Sequence, residues 1–327
     1  MKVGLTYDLR SEYLAAGFSE LETAEFDRDD TIIAIESTLQ QLGHHTERIG
    51  HARQLMQALL NGRRWDLVFN IAEGMHGIGR EAQVPAILDL FDIPYTFSDP
   101  LVMSLTLHKG MTKRVVRDAG VPTCDFQVAQ SEADCRTVAF APPYFIKPVA
   151  EGTGKGVTSA SMVRSKEALP AAVCDLLATF KQPILVEAYL PGREFTTGII
   201  GTGIEARAIG SIEVVLLDEA EPGVYSYVNK ENCEELVEYR LVSAVDDPVV
   251  KKAEQVALDA WRVLGCRDAG RIDLRCDEAG NPQFIEVNPL AGIHPEHSDL
   301  PIICTKVGIS YRSLIDSIVK SAFKRVK

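Results

Sequence analysis

A chain of 327 residues is too long to close around one small core and predicts two or three domains. Its formal net charge of −12 at pH 7 argues against a nucleic acid or an anionic membrane as the main partner, although a local basic pocket remains compatible with it. The seven cysteines (124, 135, 174, 233, 266, 276 and 304) contain no C-x-x-C and no apolar run reaches membrane-spanning length, so the expectation is a soluble cytoplasmic protein with reduced thiols.

The first hundred residues alternate between two periods. Residues 2–7 and 67–71 read as strands, as does the short piece 94–96, while 31–42, 51–60 and 81–91 read as helices. In 31–42 the apolar face is Ile32, Ile35 and Leu39. Such alternation predicts an open parallel sheet with helices on its faces. Ligands of these sheets bind beyond the carboxyl ends of the strands, which points to the loop after Tyr7 and to the loop 73–79 as a substrate mouth. The acidic stretch 10–26 is expected to be an irregular functional loop.

A boundary falls near Ser98-Asp99-Pro100, followed by a helix over 109–119 that Gly120 and Pro122 end. Strand 144–148 then runs into Glu151-Gly152-Thr153-Gly154-Lys155-Gly156, with a strand expected at 157–163, a helix at 165–179 and a strand at 183–189. From Arg193 the pattern is β-like until a helix at 248–264, a hairpin, and a last helix over 311–325.

Three stretches carry chemistry. In the glycine loop, alternate glycines turn backbone N–H groups toward a ligand and leave no Cβ in the way of phosphates. It is not a Walker A loop, because Gly156 follows Gly154-Lys155, and with a strand after it rather than a helix it is not a dinucleotide fingerprint either. A glycine loop between strands is a flap over phosphates, with Lys147 on the entering strand within reach; the H-R-D and D-F-G elements of a kinase are missing. The strand end Glu187-Ala188-Tyr189-Leu190 offers backbone and a carboxylate to an adenine edge, and Glu194 offers a carboxylate to ribose hydroxyls. In the hairpin, a turn centred on Ala279 and Gly280 sets Asp273 opposite Glu286, with Asn288 one pleat further on. Cross-strand partners sit about 5 Å apart at Cβ. Carboxylates that close repel unless a cation lies between them, and three hard oxygen donors suit Mg²⁺ on nucleotide phosphates.

Taken in order, Lys109, Lys147, the flap, Glu187, Glu194, Asp273, Glu286 and Asn288 give the chain a resemblance to the ATP-grasp superfamily, and within it to the D-alanine–D-alanine ligases. The resemblance is strongest in Phe145-Ile146-Lys147-Pro148 with the flap, in 185–187 with 192–196, and in Gly270-Arg271-Ile272-Asp273 with Glu286-Val287-Asn288; Ile93-Pro94-Tyr95-Thr96 belongs to it too. It implies an α/β ATP-grasp fold of three domains: 1–107 with the open parallel sheet, 108–190 with the flap, and 191–327 with the metal site. It implies ATP and two Mg²⁺ ions (Mn²⁺ in their place is compatible), amino-acid or peptide substrates, and a homodimer. Lys109 and Lys147 would hold phosphates under a flap of Glu151, Gly152, Thr153, Gly154 and Gly156, while Glu187, Ala188, Tyr189 and Leu190 would line the adenine and Glu194 the ribose. Asp273, Glu286 and Asn288 would hold the metals; Arg271, Lys230 and Thr153 would act at the reacting groups, and Gly292 and Ser298 at the second amino acid. The activity implied is ATP-dependent ligation of a carboxylate to an amine through an acyl phosphate.

The substrate side departs from the family pattern. Its loop after the first strand is longer, and the family's first-substrate glutamate corresponds to one of Glu20, Glu22 and Glu25. Glu73 stands where the family has a histidine, with His76 further on, and either it or an acid in 20–25 is expected to bind an ammonium group, the donor being an amino acid or peptide. Glu231 follows Lys230 where tyrosine is frequent, and Pro289-Leu290-Ala291-Gly292 replaces a different turn. His294 and His297, spaced H-x-x-H with a proline between and no third ligand nearby, are read as acceptor-site lining rather than a zinc site.

Overall fold

The computed structural model describes residues 1–217 and 236–326. Its first sheet is parallel: β1 (Lys2–Thr6) lies between β2 (His45–Gly50) and β3 (Leu67–Asn70). Alternate residues of β3 serve two cores, because side chains leave a strand on opposite faces. Leu67 and Phe69 join Val3 and Leu5 against Ile32, Ile35 and Leu39 of α2 (Asp29–Gln41), while Val68 packs with α3 (Ala52–Leu60) and α4 (Gln83–Leu90). Residues 94–96 contribute one bridge, Val68 to Tyr95, rather than a full strand. The polar edge strand β2, with few apolar positions, was invisible to the periodicity. Residues 10–26 are not wholly irregular: they open with the short helix α1 (Arg10–Ala15).

Where only a boundary was expected, α5 (Pro100–Leu107) starts on Asp99, whose carboxylate accepts from the Val102 N–H, with Pro100 at the first turn. It leads into α6 (Lys109–Asp118). The second sheet is antiparallel, in the order β4-β7-β5-β6, from β4 (Phe126–Ala129), β5 (Tyr144–Pro148), β6 (Met162–Val163) and β7 (Ile184–Ala188), backed by α7 (Leu169–Phe180). The strand expected over 157–163 shrinks to β6. Thr158 accepts from the Ala160 N–H and itself receives support from Ser161, and this local hydroxyl bonding competes with the ladder.

The third sheet is also antiparallel, in the order β10-β9-β8-β11-β12: β8 (Glu194–Ile200), β9 (Arg207–Leu216), β10 (Val237–Val242), β11 (Ala269–Cys276) and β12 (Pro282–Asn288). α8 (Pro248–Leu264), capped by Asp247 and ended by Gly265 at φ 74°, buries Val250, Ala253, Ala257, Ala260 and Trp261 against it. After α9 (Asp299–Lys306), α10 (Tyr311–Phe323) returns to the first sheet, where Leu314, Ile315 and Ile318 share a core with Val3 and Leu5. Beyond it Arg325 pairs with buried Asp268 at 2.6 Å and donates to the carbonyls of Tyr95 and Phe97. The third sheet is thereby tied to the first. The second sheet is tied to the third where the Phe284 N–H donates to the Pro122 carbonyl at 2.7 Å. No helix among the described residues is long and apolar enough to cross a membrane.

Candidate active site

Two cavities meet between the sheets. The wall they share contains Lys109, Glu151 and Glu286.

Glu286 owes its place to a bulge. Near the turn Arg275 faces Gln283 and Leu274 faces Phe284, a register that would set Asp273 against Ile285. The register shifts between Asp273 and Leu274, so Ile285 is the extra residue and Asp273 faces Glu286 as expected. Arg271 faces Asn288 two pairs further along, on the same face. Asp273 accepts from the Thr196 hydroxyl at 2.9 Å and pairs with Arg271, which also reaches Asp299 at 3.4 Å. Burial opposes the charge on Arg271, but Asp273 and Asp299 outweigh it and raise its pKa. The Asn288 amide nitrogen is buried with no hydrogen-bond partner, so that side chain is only partly committed to the protein.

The first cavity lies between the second and third sheets. Lys147, on β5, has Glu187 at 3.1 Å and Glu286 at 3.9 Å. Glu187, on β7, is also 2.5 Å from Lys113, a fully buried lysine that sequence reasoning did not single out. Burial disfavours the Glu187 carboxylate, yet Lys113 and Lys147 hold its pKa below the ordinary value. Burial likewise opposes the Lys147 ammonium, and Glu187 and Glu286 raise its pKa. Ala188, Tyr189 and Leu190 continue the wall, and Glu194 lies across from them, 3.2 Å from Arg275. The Arg275 guanidinium stands 5.2 Å from the Tyr189 ring centroid.

The glycine loop closes over this cavity. Thr153, Gly154 and Gly156 have φ of 48°, 76° and 77°, a region that a β-branched threonine seldom adopts. A Cβ on Gly156 would come within 2.8 Å of Pro148 and Phe180, so close packing as well as φ requires glycine. Glu25 pins the loop from the first sheet's side. Its carboxylate accepts from the Gly152 N–H at 2.7 Å and pairs with Lys155 at 3.1 Å and Arg80 at 2.7 Å. Arg80 also donates to the Ala150 carbonyl at 2.9 Å, and Lys109 donates to the Glu151 carbonyl at 2.5 Å. Burial would raise the Glu25 pKa, but Arg80 and Lys155 bring it down to about 2.

The second cavity lies against the first sheet. Glu25, Glu73 and Glu81 line it with Gly152, Thr153, Arg271, Asn288 and Gly292. Of the three acids considered in 10–26, Glu25 is the one brought in. Glu81 and Arg80 were missed; the signal was their position directly after the loop 73–79, at the start of the helix. Burial raises the Glu81 pKa to about 7, with Arg80 opposing and Glu25 adding. Burial, then Glu81 and Glu25, raise the Glu73 pKa well above the carboxylate range. Ser298 is not on the cavity wall: its hydroxyl accepts from the His294 N–H at 3.0 Å, behind Gly292. His294 turns Nδ1 to the backbone N–H groups of Glu296 and His297, and its Nε2 is 3.4 Å from Asp30. Lys230 and Glu231 lie outside the described residues. Among the described residues no group of three or more His, Cys, Asp and Glu side chains is placed to hold a metal ion; the set here is two carboxylates and an amide.

Residues 115–320 match the family described as D-ala D-ala ligase C-terminus. A D-alanine–D-alanine ligase of Bordetella petrii is 34% identical over 80% of this chain and 77% of that protein. The chain belongs to the D-alanine–D-alanine ligase family. It is, on that membership, an ATP-dependent ligase of the ATP-grasp type. The ligase of Aquifex aeolicus is 31% identical over 88% of this chain and 92% of its own length. The crystal structure of the Bacillus anthracis D-alanine–D-alanine ligase complexed with ATP has the same fold, with a TM-score of 0.74 at 18% identity, covering 99% of this chain and 98% of that one.

Proposed function

We propose that the chain joins the carboxyl group of one amino acid or peptide to the amine of a second, converting ATP to ADP and phosphate. The observation that carries this reading is the shared wall. Lys109, Glu151 and Glu286 border both cavities, so a γ-phosphate at the inner end of the first meets a carboxylate entering from the second.

In this reading Lys109 and Lys147 hold phosphates, Ala188 to Leu190 line the adenine, Glu194 takes the ribose, and the loop with Thr153 closes over the reacting groups. Glu187, itself held by Lys113, keeps the Lys147 ammonium charged and aimed. The donor carboxylate attacks the γ-phosphorus and ADP leaves; the acceptor amine then adds to the acyl carbon, phosphate leaves, and the amine gives up a proton. Arg271 offsets charge on the acyl phosphate and the tetrahedral intermediate. The flap, tied down through Glu25 and Arg80, keeps water from the acyl phosphate.

Asp273, Glu286 and the side-chain oxygen of Asn288 are hard donors that fit Mg²⁺, which takes one or two carboxylates and draws its other oxygens from phosphates. When bound, the metal supplies charge compensation at those phosphates. Glu286→Gln is expected to abolish Mg²⁺-dependent ADP release while far-UV circular dichroism and melting temperature stay near those of the parent; normal turnover in this variant would remove Glu286 from the site. ADP release against a panel of amino acids, with mass measurement of the product, tests the ligation itself. A pair other than two D-alanines is favoured by the acids of the second cavity.

A further inference from the structure

The second cavity says more about the donor, provided the ligase reading above holds. Of its three glutamates from the first sheet's side, Glu25 is spent on Lys155, Arg80 and the Gly152 N–H. Glu73 and Glu81 have neither a hydrogen bond nor an ion pair among the described residues. The neighbouring cations are committed elsewhere. Arg80 serves Glu25 and the Ala150 carbonyl, Lys109 serves Glu151 and Glu286, and Arg271 serves Asp273 and Asp299. Both acids are partly buried on the wall of the second cavity, where burial raises the pKa of each and the Arg80 charge opposes it without forming an ion pair with either. Two partly buried carboxylates on one cavity wall, neither with an ion-pair partner among the described residues, are a site for positive charge brought by a ligand.

An amino acid with an uncharged side chain brings one ammonium group, which leaves the second carboxylate uncompensated. We infer that the carboxyl donor is a diamino acid, its α-ammonium and side-chain ammonium received by Glu73 and Glu81 beside the Lys109–Glu286 wall. Donor rather than acceptor follows from chemistry. The attacking amine must lose its proton, and carboxylates around an amine stabilise the protonated, non-nucleophilic form. The same contact that binds the donor therefore stops its own amines from attacking the acyl phosphate.

The test uses the full-length protein with ATP and Mg²⁺ and a fixed panel of acceptor amino acids. Ornithine and 2,4-diaminobutyrate, each as both enantiomers, are compared as donors with norvaline and 2-aminobutyrate, their uncharged analogues. Donor identity is read from the mass of the product. The diamino acids are expected to exceed the analogues in kcat/KM by about thirtyfold or more, the scale of one lost charged hydrogen bond with its partner left buried. Glu73→Gln and Glu81→Gln should each raise KM for the diamino acid about tenfold while kcat changes little, and Glu73→Asp should restore part of the loss. Melting temperatures identify any variant that fails to fold, and the parent's donor preference decides the matter independently. Uncharged donors used as well as diamino acids would overturn this inference and leave the ligase reading standing. No amino-acid-dependent ADP release, with ATP still bound, would overturn both.

Discussion

The two cavities that meet at Lys109 and Glu286 treat buried charge in opposite ways. In the first, Glu187 has Lys113 and Lys147, Asp273 has Arg271, and Glu194 has Arg275. In the second, Glu25 is neutralised while Glu73 and Glu81 are not. A cleft that must receive polyanionic phosphates keeps its lysines charged by setting carboxylates behind them. A cavity for a cationic substrate leaves its carboxylates for the substrate to neutralise.

The comparison can be broken most severely at Lys147. Lys147→Met removes a buried cation of the first cavity that stands 3.9 Å from Glu286, and ADP release is expected to fall about 10³-fold, the usual scale for a charge-stabilising group in an active site; a coupled ADP assay at saturating substrates measures it. Next comes Lys113, which lines neither of the two cavities and pairs with Glu187. Lys113→Met leaves Glu187 with one cation, and urea denaturation should show a loss of about 3 kcal/mol, as for a buried pair deprived of one partner. A loss near zero would mean that Lys147 alone suffices for Glu187.

The smallest effect sharpens the acidic side. The folded-state pKa of Glu81, about 7, is raised above its ordinary 4.5. The stabilisation from its neutral form is therefore complete below about pH 4.5 and is lost as pH rises through 7. Without substrate, the parent should lose roughly 2 kcal/mol between pH 5 and pH 8 through this group, and Glu81→Gln should lose correspondingly less. Equal pH profiles for the two proteins would show that Glu81 finds compensation in solution.

Much of this was legible in the residues. Helix 248–264 was readable from its Asp247-Pro248 start and Gly265 end, and the hairpin from two alternating arms about a turn. Lys147, the glycine loop and Asp273 with Glu286 and Asn288 stood out because each is tied to a local pattern with a definite meaning. What escaped had no local signature. β2 is a polar edge strand, and Lys113 is one lysine in an amphipathic helix until Glu187 is placed beside it. The facing of Asp273 and Glu286 was expected from a turn centred on two residues, but it is reached by a bulge at Ile285, since sequence spacing does not specify where a ladder slips.

The sequence by itself determined the alternation of elements and singled out Lys109, Lys147 and the oxygen donors of the hairpin, which the fold gathers at the two cavities, because periodicity and motif spacing act over short stretches. Only the tertiary structure decided which acids face a ligand. Glu25 comes from one stretch and Glu73 and Glu81 from another, and whether a carboxylate is neutralised depends on which cations the fold sets beside it. Arg80 and Lys155 are set beside Glu25, and no cation forms an ion pair with Glu73 or Glu81 among the described residues.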